Sequence, residues 1–221
     1  MEEGAERQVQ HHFVLLHGVC HGAWCWYKVA TILEFAGHRV TALDMAACGA
    51  RPGRAEDVAS FEEYSRPLLD VVAALPPEEK AVLVSHSFGG QSLALAMERF
   101  RDKVAVAVFV SAAMPAAGKP MTFVFEQDLT LARAMVRPSR QFLNDAVMKG
   151  NVLTAERYGA VRRVYVVSED DASWSAEFQR RMASWNPGTV VKALQGADHM
   201  PMFSKPRELA ELLVEITEEH S

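Results

Sequence analysis

The strongest constraint on this chain is the character of its apolar runs. His12 to Leu16, Val82 to Val84, Val104 to Val110 and Arg162 to Val167 are apolar nearly throughout. A strand with one wet face would alternate instead. Between these runs lie segments with helical spacing: Trp26 to Phe35, Ser60 to about Leu75, Gln91 to Phe100, Ser175 to Trp185 and Lys205 to Glu219. Arg39 to Asp44 and Thr189 to Leu194 read as two further strands. Strands buried on both faces and alternating with helices predict an α/β fold. About six mostly parallel strands should form the sheet, with helices on both faces.

The signals at the ends of elements agree with this pattern. Gly37 stops the first helix, and Ser60 with Glu63 forms a capping box for the second. Residues 45–58, rich in Ala, Gly, Arg and Pro, read as a loop. No internal repeat, low-complexity tract or linker divides the chain, so a single domain over 1–221 is expected. Residues 116–160 carry only patches of helical spacing (Phe123, Val124, Phe125, Leu129, Leu131, Met135, Val136) and read as irregular short helices inserted in it.

Charge and cysteine content exclude several classes. A formal net charge of −5 with scattered Lys and Arg argues against a nucleic-acid binder. No apolar run is long enough to span a bilayer, and Met1 to Gln10 is a polar leader without a secretory apolar region. Cys20, Cys25 and Cys48 lack metal-ligand spacing and read as free thiols in a reducing compartment, hence a cytoplasmic protein.

Chemistry concentrates where strands end. Val82-Leu83-Val84-Ser85-His86-Ser87-Phe88-Gly89-Gly90 reads as strand, sharp turn and helix, with Ser87 at the apex. Ser85 stands where a nucleophile-elbow motif normally has its first glycine. Asp171 in Glu169-Asp170-Asp171 and His199 in Gly196-Ala197-Asp198-His199 follow two later strands. The order serine, acid, histidine is that of an α/β-hydrolase triad. A serine hydroxyl needs a base, imidazole titrates near neutrality, and a carboxylate on its far nitrogen fixes the tautomer. Two backbone N–H groups should meet the oxyanion, from Phe88 and from the loop His17-Gly18-Val19-Cys20-His21-Gly22, where Val19 is the candidate.

Each residue also has a plainer reading. A lone loop histidine such as His199 more often bonds backbone. Position alone does not choose among Glu169, Asp170 and Asp171, which could form a solvated turn. His86 should face away from Ser87, since successive strand residues alternate. His17 and His21 read as loop-shaping, His11 and His12 as inert, and Cys20 as a packing thiol without an evident base.

Taken together, His12-Phe13-Val14-Leu15-Leu16-His17-Gly18, Cys20-His21-Gly22-Ala23-Trp24, Ala36-Gly37-His38-Arg39-Val40-Thr41-Ala42-Leu43-Asp44, Ser85-His86-Ser87-Phe88-Gly89-Gly90, Glu177-Phe178-Gln179-Arg180 and Gly196-Ala197-Asp198-His199-Met200 resemble the plant methylesterase and hydroxynitrile lyase family of α/β-hydrolases. The resemblance implies the triad Ser87, Asp171 and His199, and its spacing selects Asp171 over Asp170. It implies substrate contacts from Gly18, His86, Met114 and Met200. It implies hydrolysis of methyl esters of small hormone-like acids of the salicylate, jasmonate or indole-acetate type, with no metal or cofactor. Expected partners are a small-molecule ester or carboxylic acid, without nucleic acid or membrane; a homodimer is compatible with the chain.

The lyases of this family carry Thr at the position of Gly18 and Lys at that of Met200, so the lyase reading is demoted. The family's cap is longer than this chain's 116–160 region, where Phe125-Glu126-Gln127 runs almost directly into Asp128-Leu129-Thr130. A reduced cap implies a more open pocket or weaker catalysis. The alternative is therefore a weak or inactive member that binds a small aromatic acid.

Overall fold

The computed structural model describes residues 10–126 and 141–220. The expectations for the polar leader and for Leu129, Leu131, Met135 and Val136 fall, apart from Gln10, outside these residues. Six parallel strands form one sheet: β1 (His12–Leu16), β2 (Arg39–Leu43), β3 (Ala81–His86), β4 (Val104–Val110), β5 (Arg163–Ser168) and β6 (Val190–Leu194), in the order β2-β1-β3-β4-β5-β6. The helices are α1 (Tyr27–Phe35), α2 (Phe61–Ala73), α3 (Gly89–Phe100), α4 (Phe123–Glu126), α5 (Ala146–Lys149), α6 (Ala176–Ser184), α7 (Pro201–Ser204) and α8 (Pro206–Glu219).

The near-continuous apolar strands feed two cores. Phe13, Leu15, Val82, Val84, Val106, Val108, Val164 and Val166 face one cluster, which α1 and α8 close through Val29, Leu33, Leu209 and Leu213. Val14, Leu16, Leu83, Ala107, Phe109, Tyr165 and Val167 face the other, closed by α2, α3 and α6 through Leu68, Leu93 and Met182. Alternate residues point to opposite faces, so strands covered on both sides are apolar along most of their length, with the buried polar residues of β3 and β5 (Ser85, His86, Arg163 and Ser168) at strand ends. The edge strands β2 and β6 are mostly half-buried or exposed and keep Arg39, Thr41 and Lys192.

Local signals act as read, with small shifts. Ser60 Oγ accepts the Glu63 N–H at 3.1 Å, while the Glu63 carboxylate reaches back to the N–H of Ala59 rather than Ser60. Within 116–160 the described residues form two four-residue helices, α4 and α5, and a 3-10 turn at Tyr158–Ala160. Among the described residues no helix is long and apolar enough to cross a membrane.

Parallel pairing brings the carboxyl ends of β1, β3, β5 and β6 to one edge of the sheet. Leu16 pairs with Ser85, His86 with Val110, and Ser168 with Leu194. The chain leaves that edge in the loops that carry His17 to Gly22, Ser87, Asp171 and His199.

Candidate active site

Ser87 sits between β3 and α3 with φ +52°. A non-glycine residue in the left-handed region is strained by about 1–3 kcal/mol, and such strain collects at functional turns. The turn is held by the Ser87 carbonyl, which accepts from the N–H of Ala113 at 2.9 Å and of Gly90 at 3.2 Å. Gly89 is required by the close crossing that follows, since a Cβ there would lie 2.7 Å from the His17 carbonyl oxygen. Ser85 is fully buried below the turn.

His199 brings the two ends of the chain's chemistry together. Its Nε2 lies 3.2 Å from Ser87 Oγ, and its Nδ1 lies 2.8 Å from Asp171 Oδ2. The carboxylate can only accept, so Nδ1 carries the proton and Nε2 is left to accept from the serine hydroxyl. Asp171 is buried and accepts from four groups: Ser173 N–H at 2.7 Å, Trp174 N–H at 2.9 Å, Gln179 Nε2 at 3.1 Å and His199. Gln179 itself is locked by Ser168, through its N–H and carbonyl, and by the Trp174 carbonyl. Neither Glu169 nor Asp170 meets the imidazole: Glu169 pairs with Arg180, and the Asp170 N–H bonds the Ala197 carbonyl.

Around Ser87 lies a cavity of about 200 Å³ lined by Gly18, Val19, His21, His86, Ser87, Ser173, Trp174, His199 and Met200. Phe88 is the N-cap of α3, and its ring packs against Phe61, Tyr64 and Phe125. Among the described residues, no backbone acceptor takes the N–H of Val19 or Phe88.

His86 keeps the alternation of β3, on the face of Val82 and Val84, while Ser87 lies past the strand in a left-handed turn, so both line one cavity. The His86 ring lies 4.9 Å from that of His199, and its Nε2–H donates to the His199 carbonyl at 2.6 Å. Room for it exists because Gly18 has no side chain; a Cβ there would meet His86 Nδ1 at 3.1 Å. Burial and then the neighbouring His199 push the His86 imidazole well below its ordinary range, so it stays neutral.

Met114 is fully buried in the core cluster and is not among the residues lining this cavity. The loop after β4 is tied to the elbow by the Ala113 N–H, which donates to the Ser87 carbonyl at 2.9 Å. His21, Ser173, Trp174 and Gln179 belong to the site and were not singled out as contacts. Ser173 and Trp174 act on Asp171 through backbone N–H groups, which leave no residue-type signal. Gln179 carried one only as part of Glu177-Phe178-Gln179-Arg180.

A second cavity of about 190 Å³ lies beside the first and shares Val19 and His21 with it; Cys20, Cys48, Tyr64 and Phe142 complete much of its wall. Among the described residues no group of three or more His, Cys, Asp or Glu is placed to hold a metal ion.

Comparison with known proteins agrees with this geometry. The profile of a family described as "Alpha/beta hydrolase family" matches residues 13–212. "Probable esterase PIR7A" of Oryza sativa subsp. indica is 48% identical over 263 aligned residues, covering 98% of this chain and 98% of its own. "Methyl jasmonate esterase 1" of Vitis vinifera is 42% identical over 257, covering 96% and 98%. The crystal structure of polyneuridine aldehyde esterase superposes with a TM-score of 0.87 at 38% identity, over 95% of this chain and 100% of that one. Both aligned stretches exceed the 221 residues present here, so these relatives carry residues with no counterpart in this chain. With a fold of six parallel strands, a family profile over most of its length and relatives matched nearly end to end, the chain belongs to the plant methylesterase family of α/β-hydrolases, a family of serine esterases.

Proposed function

We propose that this protein cleaves methyl esters of small, hormone-like carboxylic acids through an acyl-enzyme on Ser87. His199 Nε2 takes the Ser87 proton as Oγ attacks the ester carbonyl. The N–H groups of Val19 and Phe88 meet the resulting oxyanion. The tetrahedral intermediate collapses as His199 returns its proton to the departing methoxide, releasing methanol. Water, deprotonated by the same imidazole, then attacks the acyl carbon, and the acid leaves with Ser87 restored. Asp171 stabilises the imidazolium in both halves. The observation that carries this reading is His199 bridging Ser87 Oγ at 3.2 Å and Asp171 Oδ2 at 2.8 Å.

The substrate class rests on the family, on Met200 as an apolar wall and on a cavity suited to a small acyl group. The alignment with a relative called "Methyl jasmonate esterase 1" points the same way. Gly18 and Met200 offer no side-chain donor, which disfavours cyanohydrin cleavage.

A second reading, a binder of small aromatic acids with weak turnover, is favoured by the residues this chain lacks relative to its relatives. A reduced cap over 116–160 would leave the site wetter. The test is hydrolysis of methyl salicylate, methyl jasmonate, methyl indole-acetate and short p-nitrophenyl esters by wild type and Ser87→Ala. Turnover by wild type alone supports the esterase. Thermal stabilisation by the free acids without any ester cleavage supports the binder.

A further inference from the structure

The oxyanion loop has a difficulty built into it. Gly18 packs closely on the nucleophile: a Cβ there would come within 2.8 Å of Ser87 Cβ, so a side chain would force a shift. Glycine also makes rotation of the next peptide plane easy. The Gly18–Val19 peptide carries the Val19 N–H on one side and the Gly18 carbonyl on the other, since a trans peptide sets them opposed. If that plane turned over, a carbonyl dipole of the wrong sign would face Ser87.

His17 holds the plane. Its Nδ1 lies 2.6 Å from the Gly18 carbonyl oxygen, and its Nε2 lies 3.1 Å from the backbone nitrogen of Met45. The Met45 N–H must donate, so Nε2 is unprotonated and Nδ1–H donates to Gly18. The imidazole is fully buried with both nitrogens satisfied, and burial pushes its protonation below the ordinary histidine range. The brace continues on both sides. His21 Nδ1–H donates to the next carbonyl, that of Val19, at 2.8 Å. Asp44 ties the same loop to the loop after β2 by accepting from Ala23 N–H at 2.6 Å and Ala50 N–H at 3.0 Å.

We propose that His17 is a positioning residue of the oxyanion hole: by gripping the Gly18 carbonyl it aims the N–H of that same peptide, on Val19, at the oxygen of the tetrahedral intermediate. The inference rests on the esterase reading above. It assigns His17 no contact with substrate and no proton transfer.

The test compares His17→Asn, which keeps a donor near the position of Nδ1, with His17→Leu, which has similar bulk and no donor. Ser87→Ala serves as the reference. His17→Leu should lose about a hundredfold in kcat, the scale of one lost oxyanion donor, with KM little changed. It should lose affinity for a trifluoromethyl ketone in proportion, while binding of the product acid holds. His17→Asn should recover a large part of that loss. Equal impairment of Asn and Leu, or a loss confined to KM, would overturn the role. If Ser87→Ala remains as active as wild type, the esterase reading itself falls and the proposal with it. If Ser87→Ala is inactive and His17→Leu matches wild type, only the His17 role falls. Should His17→Leu not fold, nitrogen-15 shifts of wild-type His17 decide. The Nδ1–H tautomer is expected; the Nε2–H tautomer, which His86 shows by bonding the His199 carbonyl, would contradict it.

Discussion

A Cβ placed on Gly18 would lie 2.8 Å from Ser87 Cβ and 3.3 Å from Ser87 Oγ. The nucleophile and the loop that should meet its oxyanion are thus packed backbone against side chain. Gly18→Ala must push the two apart by some tenths of an ångström, and Gly18→Thr by more. Both should lower kcat/KM for p-nitrophenyl acetate, by roughly tenfold or more for Ala, because small misplacements at reacting centres are expensive. Wild-type rates in Gly18→Thr would show that the contact is not required.

Asp171 should act through the tautomer of His199. In Asp171→Asn the amide can donate to Nδ1, which moves the imidazole proton to Nε2, where it cannot accept from Ser87. A loss of about three to four orders of magnitude in kcat is expected, with little change in KM. Rate measurements on the ester panel check it, and Asp170→Asn is the comparison expected to stay near wild type.

Stability should fall on the acid side for a reason remote from the site. His12 Nε2–H donates to Thr41 Oγ1 at 2.8 Å, and Nδ1 accepts from Arg39 at 2.6 Å. The ring is therefore neutral, and Glu79, 3.1 Å away, pairs with Arg39 rather than with an imidazolium. Burial first, then Arg39, lowers the His12 pKa from 6.5 to about 4. The unfolded chain binds the proton more readily, so this contribution is full above pH 6.5 and is lost as pH falls from there to about 4. Burial lowers His17, His38 and His86 as well, which adds in the same direction. Melting temperature should decline across that window, with a shallower slope in His12→Asn. A flat profile would contradict the assignment.

The three thiols should react in a fixed order. Cys20 is exposed, Cys48 is half-buried and Cys25 is buried. Burial pushes Cys25 up to about 12 and raises Cys48. Limited alkylation near neutral pH, read by peptide mass mapping, should label Cys20 first and Cys25 last. The label on Cys20, next to Val19, should slow ester turnover. Cys25 labelling in the folded protein would contradict the order.

The parts of the fold that were readable in the sequence are those where burial leaves residue types no freedom. Val82 to Val84 and Val104 to Val110 are covered on both faces, so their apolar character announced a parallel sheet. Ser60 and Gly37 marked helix ends because caps and left-handed turns demand particular residues. The four-residue helices Phe123–Glu126 and Ala146–Lys149 were legible only as irregular short helices without bounds, since one turn has no periodicity to read. His86 shares the cavity with Ser87 because Ser87 lies past β3 in a left-handed turn, where the alternation that separates strand neighbours no longer holds. Trp174 and Ser173 hold Asp171 through backbone N–H groups, a role any residue could fill.

Trapping an acyl group on Ser87 is the decisive measurement for the esterase mechanism. The protein would be mixed with p-nitrophenyl acetate, quenched in acid within the first turnover, digested and mapped by mass. A stoichiometric burst of p-nitrophenol and an acetyl group on the peptide carrying Ser87 are expected, with neither in Ser87→Ala. An acetyl group on Cys20 or elsewhere with Ser87 unmodified, or steady turnover in Ser87→Ala equal to wild type, would contradict that mechanism.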